Sequence, residues 1–243
     1  MKICLIRQPA GLGDIFFTQK IAKKILKNKE SDKIIWPVIK EYEYLANYMF
    51  KDNITFINEQ NSFPFKEIYL ADPHYIINNS DLLYIPLQRA QHENCHAMLA
   101  KYKFIDLPYE DWQYYFEFER NFEREKYLEK YLEKIQGLDI NKSFNLINDS
   151  FGSKNTNRDN KISIQPIKNN HKIIKMDYLD FDNVFDWIGL MDKATEIHTV
   201  DTVWCFLLKQ MNKKNVTVYS RIKNASFFSY AFKLFDPEWS YVL

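Results

Sequence analysis

Short apolar runs alternate with amphipathic stretches along most of the chain, and that alternation limits the fold more than any other feature. Lys2 to Arg7, "KIIWPVI" (Lys33 to Ile39), "NITFIN", "EIYLAD" and "DLLYIPLQ" read as strands. Pro37 marks its strand as ending there or lying at an edge. Ile15 to Lys27 reads as a helix: Ile15, Ile21, Ile25 and Leu26 are apolar, and Lys20, Lys23, Lys24 and Lys27 are expected on a solvated face. "EYEYLANYMF" and Arg89 to Lys103 read as helices too, and "FEREKYLEKYLEKI" as a charged amphipathic one. Strands separated by helices pair in parallel, so a parallel α/β layer is expected.

"QGLDINK" (Gln136 to Lys142) carries a glycine in a long stretch without others and is the expected domain boundary, dividing 1–140 from 141–243. A second alternation follows it. "FNLIND", "KISIQPI", "KIIKMD", "EIHTV" and "NVTVYSR" read as strands. "FDNVFDWIGLMDKA" with Asp182 as N-cap, "DTVWCFLLKQM" and "ASFFSYAFKLF" read as helices. The expected architecture is α/β: two Rossmann-like domains facing each other across a crevice, with ligands at the carboxyl ends of the strands.

Bulk properties exclude some functions. A length of 243 residues, 46% hydrophobic and 27% charged, is ample for a buried core. A net charge of +1 gives no field to recruit nucleic acid or a membrane surface, so no nucleic-acid partner is expected. Cys4, Cys95 and Cys205 form no CxxC, and the apolar setting of Cys4 and Cys205 reads as buried free thiols suited to a reducing cytosol. No signal-peptide pattern and no apolar run of about 20 residues occurs, so a cytoplasmic protein without an integral membrane segment is expected.

Three stretches carry chemistry. In "PAGLGDIF", Gly11 and Gly13 let the backbone approach a ligand, and the Asp14 carboxylate can take a proton from an attacking hydroxyl. The plainer alternative is that Asp14 caps a helix, a contribution of about 1 kcal/mol. In "EIHTVDTVWCF", a strand ends and a helix begins at Asp201-Thr202; its free N–H groups, including that of Val203, and the Thr202 hydroxyl suit a phosphate, or Thr202 is simply a cap. In "INDSFGSKN", Ser150, Gly152 and Ser153 can donate to a diphosphate and Lys154 can neutralise it, unless this is a plain surface loop.

In this order the three stretches resemble the GT-B glycosyltransferases of the heptosyltransferase type, most closely over Lys2–Lys27 and Phe144–Arg221. The resemblance implies that Asp14 is the general base of an inverting transfer. It implies that Asp201, Thr202 and the following amides, with the Ser150–Lys154 loop, hold the diphosphate of a nucleotide sugar. It implies no metal and no other cofactor, and a glycan or other hydroxyl acceptor against the N-terminal domain. "ADPHY" and "QRAQHENCHAMLAKY" offer Asp72, His74, Arg89, His92 and Lys101 for that acceptor. The Gly-Pro-x-His that follows Asp-Thr in the family is absent; Val203-Trp204-Cys205-Phe206 stands in its place. That departure opens a second class, a sugar-nucleotide-binding protein without turnover. A third class comes from "HENCH": on a helix, His92 and His96 share one face and can bind zinc beside Glu93, with Glu117 as a further ligand. The polar flanks and the lack of a third His at metzincin spacing weigh against it. His171 and His198 read as structural.

Overall fold

Ile3, Cys4, Leu5 and Ile6 are all buried, as a strand covered on both faces requires. The computed structural model describes residues 1–49, 53–91, 96–151, 160–165, 167, 169–176, 179, 182–221 and 226–243. They group into two units, Met1–Glu119 and Arg120–Leu243.

The first unit runs β1 (Ile3–Ile6), α1 (Leu12–Phe17), α2 (Gln19–Lys27), β2 (Lys33–Val38), α3 (Leu45–Tyr48), β3 (Ile54–Asn58), α4 (Lys66–Ala71), β4 (Ile77–Asn78), β5 (Leu82–Ile85) and α5 (Ala97–Lys103). The sheet order is β3-β2-β1-β5-β4, parallel except for the β4–β5 pair. Where the sequence predicts one helix over Ile15–Lys27 there are two. The Thr18 hydroxyl donates to the Asp14 carbonyl at 2.7 Å, a back-bond that bends the chain between α1 and α2.

Two other expectations change for physical reasons. Pro37 lies in β2, an inner strand, yet it breaks no ladder. The β1–β2 register ends at Leu5↔Ile35, so the missing N–H falls past the end of β1. "EIYLAD" belongs to a helix, α4, whose Ile68 and Tyr69 pack on the sheet face made by Ile3, Leu5, Ile35, Leu82 and Tyr84. A short apolar run suits a strand or one buried helix face equally well, and here the sheet needed a cover.

The second unit runs α6 (Phe122–Gln136), β6 (Phe144–Asn148), β7 (Ser150–Phe151), β8 (Asn160–Lys161), β9 (Lys172–Lys175), α7 (Ile188–Lys193), β10 (Glu196–Val200), α8 (Val203–Gln210), β11 (Val216–Tyr219), α9 (Ser226–Leu234) and β12 (Ser240–Val242). Its sheet is fully parallel, in the order β12-β11-β10-β6-β9, and β7 and β8 form a separate antiparallel pair. Of "KISIQPI", the described strand residue is Lys161 alone; β8 ends there.

The division falls between Glu119 and Arg120, ahead of the expected point at 140/141. Gly137 takes the left-handed C-cap of α6 (φ +63°) rather than a linker. Side chains of α6 tie it to the second unit. Arg124 meets the buried Asp186 carboxylate through two nitrogens at 2.9 and 2.7 Å, and Lys193 Nζ donates to Glu129 of α6 at 2.8 Å. Asp186 also closes a capping box with Asn183. Asn183, and not Asp182, is therefore the cap ahead of α7, while Asp182 accepts from the Trp187 indole at 2.6 Å.

Candidate functional site

In each unit the strand order reverses at one place. In the first unit the chain moves from β1 outward through β2 and β3, and β5 returns on the other side of β1. In the second unit it goes from β6 to β9 on one side, then to β10, β11 and β12 on the other. Loops leaving two such neighbouring strands diverge, and ligands of open α/β sheets bind between them. Asp14 follows β1, and Arg89 and Lys101 follow β5; Ser150 follows β6, and Thr202 follows β10. Asp14, Arg89, Lys101, Ser150 and Thr202 thus lie on segments that leave the strands at these two reversal points, whereas Asp72 and His74 follow α4.

At the first, Gly11 occupies the cap position of α1 with φ +80°, a left-handed conformation that favours glycine. A Cβ on Gly11 would collide with Asp14 Oδ2, so the carboxylate folds back over bare backbone. Gly13 lies in the first turn of α1, and Asp14 is an acidic residue of that turn, not its cap. Its partner is Lys101: Asp14 Oδ1 stands 3.3 Å from Lys101 Nζ. The same ammonium donates to Gln8 Oε1 at 2.7 Å and to the Leu87 carbonyl at 3.0 Å. Three acceptors match the three protons of an ammonium. Lys101 is 5% exposed, whereas the Asp14 side chain is 30% exposed. Burial lowers the Lys101 pKa from its ordinary value and the Asp14 charge opposes that shift. Lys101, one of the acceptor candidates, is buried and holds Asp14.

Asp72, at the C-cap of α4, joins two arginines. Arg89 Nε donates to Asp72 Oδ2 at 2.9 Å, and Arg7 Nε lies 3.2 Å from Asp72 Oδ1. The Arg7 guanidinium also stacks on the Tyr69 ring at 4.6 Å. Burial pushes the neighbouring Tyr84 hydroxyl up to about 12. The structure brings Asp72 and Arg89 together, while His74 is exposed on the following turn. Arg7 escaped the sequence reading, although the residue just past the first strand was the place to look.

At the second reversal point, Asn148 is buried beneath both expected phosphate segments. With its amide turned to satisfy both ends, its oxygen accepts from Thr199 (3.0 Å), Thr202 (3.3 Å) and the Trp204 indole (3.2 Å), and its nitrogen donates to the Ser150 carbonyl at 3.1 Å. Ser150 and Thr202 are thereby linked. Thr202 is the N-cap residue of α8 but makes no side-chain capping bond, and Val203 opens the helix. Asp201 is turned inward: its Oδ1 accepts from the Arg221 backbone N–H (2.8 Å) and Nε (3.0 Å), and its Oδ2 from the Tyr230 hydroxyl (2.5 Å). Arg221 was not singled out in the sequence, yet it too follows a strand, β11.

Gly152, Ser153, Lys154, His92 and Glu93 lie outside the described residues. His96 caps α5 from outside the helix, with its Nδ1 accepting from the Met98 N–H at 3.3 Å. Of the expected helix over Arg89–Lys103, the described residues form a 3-10 turn that ends at Arg89 and α5 from Ala97, and His96 precedes α5 as its cap rather than lying on a helical turn. Glu117 pairs with Lys23 at 2.6 Å. Among the described residues, no group of three or more His, Cys, Asp or Glu is placed to hold a metal ion, and no helix is long and apolar enough to cross a membrane.

The architecture defines a class, mixed α/β with parallel sheets. Within it, the chain is similar to the glycosyl transferase family 9 structure from Veillonella parvula DSM 2008, with a TM-score of 0.58 and 10% identity over 99% of this chain and 86% of that one. E. coli heptosyltransferase WaaC with ADP aligns at a TM-score of 0.46 and 8% identity, over 100% of this chain and 93% of that one. The same enzyme with ADP-2-deoxy-2-fluoro heptose aligns at 0.45 and 8%, over 99% and 92%. No protein-family model and no curated protein sequence matches the chain. The first likeness shows a shared fold.

Proposed function

We propose that this chain is an inverting, metal-independent glycosyltransferase that moves a sugar from a nucleotide diphosphate sugar to a hydroxyl acceptor. The observation that carries the reading is the Asp14 carboxylate, partly exposed on the Gly11 turn past β1 and anchored by a buried ammonium. The shared fold with a family 9 glycosyl transferase supports it. In this reading the acceptor oxygen attacks the anomeric carbon while its proton passes to Asp14. The bond from that carbon to the diphosphate oxygen breaks, the electron pair leaves with the diphosphate, and configuration inverts. The second unit takes the donor at Ser150, Thr202 and the amide of Val203, with Gly152, Ser153 and Lys154. The first unit takes the acceptor near Asp72, His74, Arg89 and His92. Fixed protein charges and helix N–H groups stabilise the leaving diphosphate in place of a metal.

A calorimetry and thermal-shift panel of UDP, GDP, ADP and CMP and their sugars, with and without EDTA, tests this. Stabilisation by one nucleoside diphosphate, unchanged by EDTA, is the expected result. Binding without turnover would leave a sugar-nucleotide-binding protein. A melting temperature that collapses with EDTA would move the assignment to a zinc protein.

A further inference from the structure

We propose that Arg221 is the side chain that grips the donor diphosphate, and that Asp201 serves by positioning Arg221 rather than by touching the ligand. The ligand class rests on the transfer reading above; the pairing of the two residues does not.

Asp201 is 4% exposed, and both its oxygens are engaged. A buried carboxylate in that state has no face to offer a ligand, and its charge would repel a diphosphate. Two of its three bonds fall on one residue. The backbone N–H of Arg221 fixes where the chain turns after β11, and Nε fixes the side chain's direction. Tyr230, on α9, holds the other carboxylate oxygen and so locks the holder. Such an arrangement is more than a surface arginine needs, since ordering a long side chain costs conformational entropy.

What it orders is a guanidinium that stays 43% exposed beside the expected donor segments. Its carbon lies 5.8 Å from the centroid of the Phe151 ring, next to Ser150 and past the end of β6. Asp201 itself precedes Thr202. Arg221 leaves β11, one strand beyond the reversal point, and reaches back through Asp201 and the Phe151 ring to the residues that flank Ser150 and Thr202. With Nε given to Asp201, the Nη fork is the part of the group that matches phosphate oxygens bidentately. A positive charge there binds the donor and stabilises the negative charge that grows on the diphosphate oxygen as the glycosidic bond breaks. Arg221 itself forms no bond in the reaction.

The test is a double-mutant cycle read by calorimetry with UDP, GDP and ADP and their monophosphates, each variant first checked for native circular dichroism. Arg221→Ala should weaken the preferred diphosphate at least tenfold and the matching monophosphate much less, so the diphosphate preference falls. Asp201→Asn should weaken the diphosphate in the wild-type background and have no further effect in the Arg221→Ala background. If Asp201→Asn does not fold, Tyr230→Phe, which releases one carboxylate oxygen, serves in the same cycle. Equal diphosphate affinity in wild type and Arg221→Ala would overturn the Arg221 assignment and leave the transfer reading standing. An undiminished Asp201→Asn effect without Arg221 would overturn the positioning role. A wild-type protein that binds no nucleoside diphosphate would overturn both this assignment and the transfer reading.

Discussion

At the scale of single residues, the pairing of Asp14 with Lys101 decides most. Asp14→Asn should lower transfer by orders of magnitude while nucleotide affinity stays nearly constant, measured as kcat beside a calorimetric Kd. Normal turnover in the variant would reduce Asp14 to a structural residue. Lys101 makes a separate prediction about pH. Its folded-state pKa is lowered by burial, so between that value and the ordinary 10.5 the unfolded chain binds a proton that the folded chain has released. This group's contribution to folding stability therefore rises as pH climbs through that window. Lys101→Met should flatten the alkaline side of a urea-stability profile; an unchanged slope would show that Lys101 does not titrate there. Asp14 was legible in the sequence because a glycine pair followed by an acid, just past a strand, is a local pattern. Lys101 was legible as a polar residue and not as the partner of Asp14, because 87 positions separate them and only the folded chain brings β5 and α5 against β1.

At the scale of elements, the loop ahead of α1 is under the tightest constraint. Gly11→Ala places a side chain at φ +80° and against Asp14 Oδ2. The expected cost is roughly 1–2 kcal/mol in urea unfolding, with a loss of transfer beyond what stability explains as Asp14 is pushed aside. Full activity in Gly11→Ala would show that the close approach is not needed. The Asn183 capping box gives a control far from either reversal point in sequence. Asn183→Ala should cost about 1 kcal/mol of stability and leave nucleotide affinity alone. Elements with strong local signatures were readable: β1, β6, β10, β11 and α8 fall where the apolar runs put them. Those decided by tertiary covering were not. α4 looks like a strand until Tyr69 is seen to cover β1 and β5, and the two-residue β4 exists only as a partner for β5.

At the scale of the whole molecule, two parallel sheets in one chain were legible from the doubled alternation of strand and helix, but their limits were not. A glycine can cap a helix or loosen a linker, and the side chains that assign α6 to the second unit, Arg124 and Asp186, lie 62 residues apart in sequence. The division of labour proposed for the two units has a consequence for mutant kinetics. Asp14 and Thr202 belong to different units and share no described partner, so their effects should be separable. Asp14→Asn should act on kcat, and Thr202→Val should act on the Kd for the nucleoside diphosphate. In the double variant the two losses should multiply, since residues without shared contacts contribute independently. A Thr202→Val variant with normal affinity and reduced kcat would move Thr202 from holding the donor to assisting the bond that breaks. A double variant no worse than Asp14→Asn alone would mean that donor binding and proton removal are one event rather than two.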